Sequence, residues 1–140
     1  MKSLHTLLKL ARRDLETLRR TLAEQVARQS AVQERMLGHE QTILSEQKAA
    51  QRDYESGRAY GGYAAAAIAV RKALAGEHES IGEEIGRLRT LIAEAHVETR
   101  KFERLIELEA ARRKAAAVKR ENAELDEFAT MRAARRKQKG

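Results

Sequence analysis

The sequence predicts an all-α protein: a long two-helix antiparallel coiled-coil hairpin with a C-terminal helical overhang. Three observations predict it. Apolar residues recur at alternating steps of three and four along most of the chain. A single cluster of glycines interrupts that pattern near the middle. Charged residues make up 35% of the chain, with no Pro, no Trp and only 4% aromatics. That composition supplies long helices better than the large apolar side chains of a compact core. Disorder is the competing reading for so charged a chain, but the sustained periodicity argues against it.

The 140 residues are read as a single coiled-coil domain. Helix one should run from about Ser3 to about Ser56. Its a row is Leu8, Leu15, Leu22, Gln29, Met36, Ile43 and Ala50; its d row is Leu4, Ala11, Leu18, Gln25, Val32, His39 and Glu46. A reversal is expected over about 57–62, in "ESGRAYGGY", because Gly57, Gly61 and Gly62 relax the backbone there. Helix two should run from about Tyr63 to Arg136. It carries Leu74, Ile81, Leu88, Ala95 and Phe102 at d, and His78, Ile85, Ile92, Thr99 and Ile106 at a. Neither helix can bury such a stripe alone, so the two seams should face each other.

A reversal centred on Gly61-Gly62 sets the register. Leu22 then faces Phe102, Ile43 faces Ile81, Glu46 faces His78 and Asp53 faces Arg71. Leu4 would lie opposite Arg120, and the last twenty residues or so would overhang by roughly 30 Å at 1.5 Å per residue. A register one heptad shorter puts Gln25 on Ile92 and Gln29 on Leu88. Amides left unpaired there would cost on the order of 1 kcal/mol or more each.

Net charge is +7, and it is unevenly placed. Arg112 to Gly140 holds ten Lys/Arg against four Asp/Glu, while Met1 to Ala111 is nearly balanced. With no Cys, disulfide and thiolate chemistry are excluded. The first residues are too charged for a signal peptide. The longest apolar stretch, "YAAAAIAV", falls far short of the roughly 20 residues that span a bilayer. The expectation is a soluble cytoplasmic protein without membrane insertion. No phosphate-cradling glycine loop, no nucleophile triad and no metal-ligand spacing is present, so no enzyme activity, cofactor or metal is expected. Direct nucleic-acid binding is not expected either. Tyr54, Tyr60 and Tyr63 lie far from the basic end, which is itself interrupted by acids.

The closing segment "ELDEFATMRAARRK" keeps Leu125, Phe128 and Met131 at steps of three beside Arg132, Arg135 and Arg136. No segment of helix one is left to cover this short apolar stripe. It has the pattern of anchors rimmed by charge that enter a partner.

The chain resembles the FliJ family of the bacterial flagellar type III export apparatus. The likeness runs over the whole length. It is carried by "MKSLHTLLKLARRDLE", the glycine-bearing tip, the run from Tyr63 to Leu74 ending in "RKAL", and most specifically by the closing "LDEFA…MR…R". The resemblance implies a central-stalk-like hairpin, similar to the shaft of rotary ATPases, whose terminal end binds and stimulates the hexameric export ATPase. It implies that Leu125, Asp126, Glu127, Phe128 and Arg132 lie at the ATPase-binding end. It also implies that Val70 and Leu74 face the membrane export gate, that export chaperones are bound, and that the protein sits peripherally at the inner-membrane base of the apparatus. Where family members show an aromatic near Ala66, this chain has Ala64 to Ala67. The shaft subunit of a virulence secretion system and a basic coiled-coil binder of polyanions are the alternative readings.

Overall fold

The computed structural model describes residues 2–139. They form two helices, α1 (Lys2–Ala50) and α2 (Tyr54–Lys139), packed together as a hairpin with no strand among the described residues. The chain divides into two compact units, Asp14–Ala95 and a terminal one of Met1–Arg13 with His96–Gly140.

The heptad rows are the buried rows. Leu8, Leu15, Val32, Ile43, Leu74, Ile81, Ile85, Leu88 and Thr99 are buried, and the remaining a and d positions are half-buried except Glu46, which is exposed. Within the Asp14–Ala95 unit, Val32, Ile81 and Ile85 form the central cluster, with Leu22 and Met36 packed against it. Seven-residue spacing keeps each row facing the partner helix as both wind, so burial follows the row.

The reversal lies at Gln51, Arg52 and Asp53, not over 57–62, and helix one ends at Ala50 rather than near Ser56. Two tight backbone bonds close α1: Gln51 N–H to Lys48 C=O (3.3 Å) and Arg52 N–H to Ala49 C=O (3.1 Å). Asp53 then caps α2, its carboxylate accepting the Ser56 N–H at 2.7 Å. That satisfies one of the donors every helix start leaves open. The glycines fall inside α2, and no described residue has a positive φ, so the turn makes no use of their conformational freedom. Gly57 does have a steric role. A Cβ there would meet the Ala50 carbonyl oxygen at 3.3 Å, beside the reversal.

Moving the turn moves the register by about two heptads. His78 therefore meets Gln33 (3.1 Å between side-chain nitrogens) instead of Glu46, and Arg71 binds Glu40 instead of Asp53. A whole number of heptads leaves both rows in phase, which is why the apolar pattern alone did not separate the registers. In this register, which is neither of the two weighed from the sequence, Gln25 borders an open groove of about 500 Å³ with Arg28 and Ser80. Gln29 lies beside Gly82, its amide nitrogen 3.7 Å from where a Cβ would stand, an ordinary van der Waals contact.

Gly61 and Gly62 have nothing within 4 Å of an added Cβ. Replacing each by Ala should stabilise the protein by about 0.5–1 kcal/mol, since glycine is the poorer helix former. Thermal denaturation checks this. Had these glycines formed the turn, the same changes would destabilise.

Candidate partner-binding surfaces

Two surfaces carry the residues singled out in the sequence, and each belongs to a different unit.

The first is the bare end of α2. In the terminal unit, Leu8 and Thr99 are buried, Phe102, Ile106 and Glu109 are half-buried, and Arg12 pairs with Glu103 at 3.3 Å. Past Glu109 the covering stops. Every residue over 110–138 is exposed. The overhang is thus about ten residues longer than the register in the sequence suggested, some 40 Å of helix at 1.5 Å per residue. It starts early because the earlier turn brings Arg12 beside Glu103.

Leu125, Phe128 and Met131 stand on this stretch at 60%, 63% and 56% exposure. Asp126, Glu127, Arg132, Arg135 and Arg136 are exposed around them. The helix there keeps its own hydrogen bonds, and the Thr130 hydroxyl also donates to the Asp126 carbonyl (2.9 Å). At its base Glu109 pairs with Arg112 (3.6 Å) and Arg113 (3.7 Å). Exposed pairs of this kind contribute little, a median of about 0–1 kcal/mol.

The second surface lies in the Asp14–Ala95 unit near the turn. Val70 is exposed, with Ile68 beside it, whereas Leu74 is only 6% exposed and is spent on the seam. The structure does not bring Val70 and Leu74 to one surface. It brings Leu74 instead to the floor of an apolar groove of about 250 Å³, walled by Met36, Leu37, His39, Glu40 and Arg71. A neighbouring recess of about 200 Å³ continues past Arg71 along Ala64, Ala67 and Ile68. Leu37 and Leu44 are exposed apolar residues on this side. Both sit one position past the a row. Apolar residues outside the seam were the available signal for them.

Charge pins the groove. Arg71 holds Glu40 through two bonds, at 2.6 and 2.7 Å. The guanidinium lowers the Glu40 carboxyl below its ordinary 4.5. His39 reaches the Ala67 carbonyl oxygen at 3.0 Å, so its ring Nε2 carries a proton that it donates across the helices. Among the described residues no group of three or more His, Cys, Asp or Glu could hold a metal ion. No described helix is long and apolar enough to cross a membrane.

Acid titration should read the Glu40–Arg71 contact. A carboxyl whose folded pKa is lowered adds stability above its unfolded pKa, and that stability is lost as pH falls through the folded value. Glu40→Gln should therefore lower the melting temperature at neutral pH. It should also flatten the loss of stability seen below about pH 4.5 in the parent. Melting curves from pH 7 to 3 for the two proteins check this; parallel curves would remove the pair from the account.

Comparison with known families gives one full-length match. The family described as "Flagellar FliJ protein" matches residues 1–138. Comparison with the curated proteins and with the solved structures gave no match.

Proposed function

The chain belongs to the FliJ family, a non-catalytic component of the flagellar export apparatus, and on that premise we propose that it is the stalk of the export ATPase. The bare end of α2 enters the hexameric ATPase and stimulates it. The turn side reaches the membrane export gate through Val70 and the groove floored by Leu74, and export chaperones use the same cytoplasmic protein. It works peripherally, at the inner-membrane base of the apparatus.

One observation carries this reading: some 40 Å of helix with no intramolecular cover on any side. Tertiary packing of an apolar face normally supplies most helical stability, and α1 supplies none to this stretch. A partner packed against the helix supplies it. Charge keeps such an end soluble when free, and exposed Leu125, Phe128 and Met131 provide anchors. Buried anchors commonly carry about 2 kcal/mol or more of binding, and rim charges less.

Leu125→Ala with Phe128→Ala should therefore abolish stimulation of the export ATPase while leaving helix content nearly unchanged, because neither side chain packs on α1. Turnover assays and circular dichroism measure the two arms. A polyanion binder behaves in the opposite way, since phosphate contacts are electrostatic. Retained stimulation in the double variant, with all binding lost in a steeply salt-dependent way on Arg135→Ala plus Arg136→Ala, would overturn the stalk reading.

A further inference from the structure

The heptad rows of α1 do not stop at the reversal. In steps of seven the a row runs from Leu8 to Ala50 and on through Gly57, Ala64 and Arg71 into the a row of α2 at His78. The d row runs likewise through Glu46, Asp53, Tyr60 and Ala67 to Leu74. Residues handed from one helix to the other at the turn therefore enter in phase. A second cap also lies at the right distance. Asp53 caps α2 now, and Ser56, as good a residue type at an N-cap, stands three residues on. Moving the reversal from 51–53 to about 54–56 lengthens α1 and shortens α2 by about half a heptad each. That shifts the two helices past one another by one whole heptad.

Inside the Asp14–Ala95 unit, cross-helix partners recur about seven residues along. Arg35 now pairs with Glu77 (3.4 Å), and Glu84, at present paired with Arg87 on its own helix, is one heptad further on. His78 now meets Gln33, and Glu40 is one heptad further along α1. Arg71 now holds Glu40, and the shift brings exposed Glu46 and Gln47 opposite it. Ile43 shares a recess with Ala67, and the shift brings it opposite Leu74, a larger apolar partner. Against this, His39 loses the Ala67 carbonyl and comes opposite His78. The terminal unit also opposes the change, since Leu8 comes opposite Glu109 and Leu4 opposite Arg113. Gains near the turn thus stand against losses at the termini, the balance that a two-state element needs.

We propose that the hairpin is a register switch, in which α1 slides along α2 by one heptad, about 10 Å, as the turn moves from Asp53 to Ser56. A slide of two heptads is disfavoured, because the cap position then falls on Tyr60. α1 is one continuous helix from Lys2 to Ala50, so a change at the turn arrives at its first residues. In the shifted register α1 covers one heptad more of α2, and the bare end shortens by about 10 Å. A partner seated on the first heptad past Glu109 excludes that register. This last consequence rests on the stalk reading, whereas the slide itself does not.

The chain lacks cysteine, so introduced pairs report the register. Under mild oxidation Ile43→Cys with Ala67→Cys should cross-link fastest. Ile43→Cys with Leu74→Cys should follow, about fivefold or more ahead of Ile43→Cys with Ile81→Cys, which needs two heptads and a lost cap. A 43–74 pair that closes no faster than the 43–81 pair overturns the switch, since both then report only fraying. Exposed sites give a second measurement that leaves the seam intact. Spin labels at Lys48→Cys and Glu94→Cys, both exposed, should approach by about 10 Å on sliding. Asp53→Ala removes the present cap, and Glu109→Leu with Arg113→Leu makes the shifted terminal layers apolar. In that triple variant the shorter distance should become the major one. A distance unchanged from the parent's, in protein of full helix content, overturns the switch. Adding the cognate ATPase to the 43–74 pair should slow its closure. Unslowed closure with the ATPase bound rejects the coupling to the bare end. An ATPase that does not bind removes the stalk reading, while the slide, read from the distances alone, stands.

Discussion

The constraint on which the rest depends is the length of the seam that α1 can cover. α1 has 49 residues and α2 has 86. An apolar row gains by burial only while a facing row exists. The turn at Gln51–Asp53 fixes where facing begins, and the first residues of α1 fix where it ends, near Glu109. Everything assigned here to partner binding in the terminal unit follows from what lies past that point. The turn is set by a cap and two backbone bonds that each reach back three residues, and it determines which part of α2 is left uncovered.

The helical class and the composition of the seam were legible because they rest on one strong signal. Leu8, Leu15, Val32, Ile43, Leu74, Ile81, Ile85 and Leu88 could be named as core from spacing alone, and they are buried. The turn was not legible, because two weak signals competed. Three glycines in six residues read as a break. Asp53, placed three residues before Ser56, read as nothing in particular, yet it forms the cap. Gly61 and Gly62 are instead helical positions with open space around them. The register inherited that error. Periodicity fixes phase modulo seven, and only the turn or specific polar contacts such as Arg71–Glu40 choose among registers a heptad apart.

The surfaces were legible in part for related reasons. Leu125, Phe128 and Met131 were identified as exposed anchors, and they are exposed. Leu74 was carried over as a contact residue by resemblance, while its place in the d row already argued for burial. Leu37 and Leu44 were passed over because a seam-centred reading has no use for apolar residues beside the seam.

The distribution of glycine along α2 ties stability to function. Gly57, Gly61, Gly62, Gly76, Gly82 and Gly86 all fall in the first part of the helix, and none follows until Gly140. Glycine costs about 1 kcal/mol relative to alanine inside a helix. Where α1 packs alongside, burial of the seam offsets that loss, and at Gly57 the missing side chain serves a close contact. Past residue 110 no intramolecular packing exists to offset anything. There the chain is built mostly of Ala, Arg, Lys, Glu and Leu, the residues that favour a helix by themselves. The weaker formers in that stretch include Val118, Asn122, Asp126, Phe128 and Thr130. Intrinsic propensity is therefore highest where the helix must stand without a neighbour.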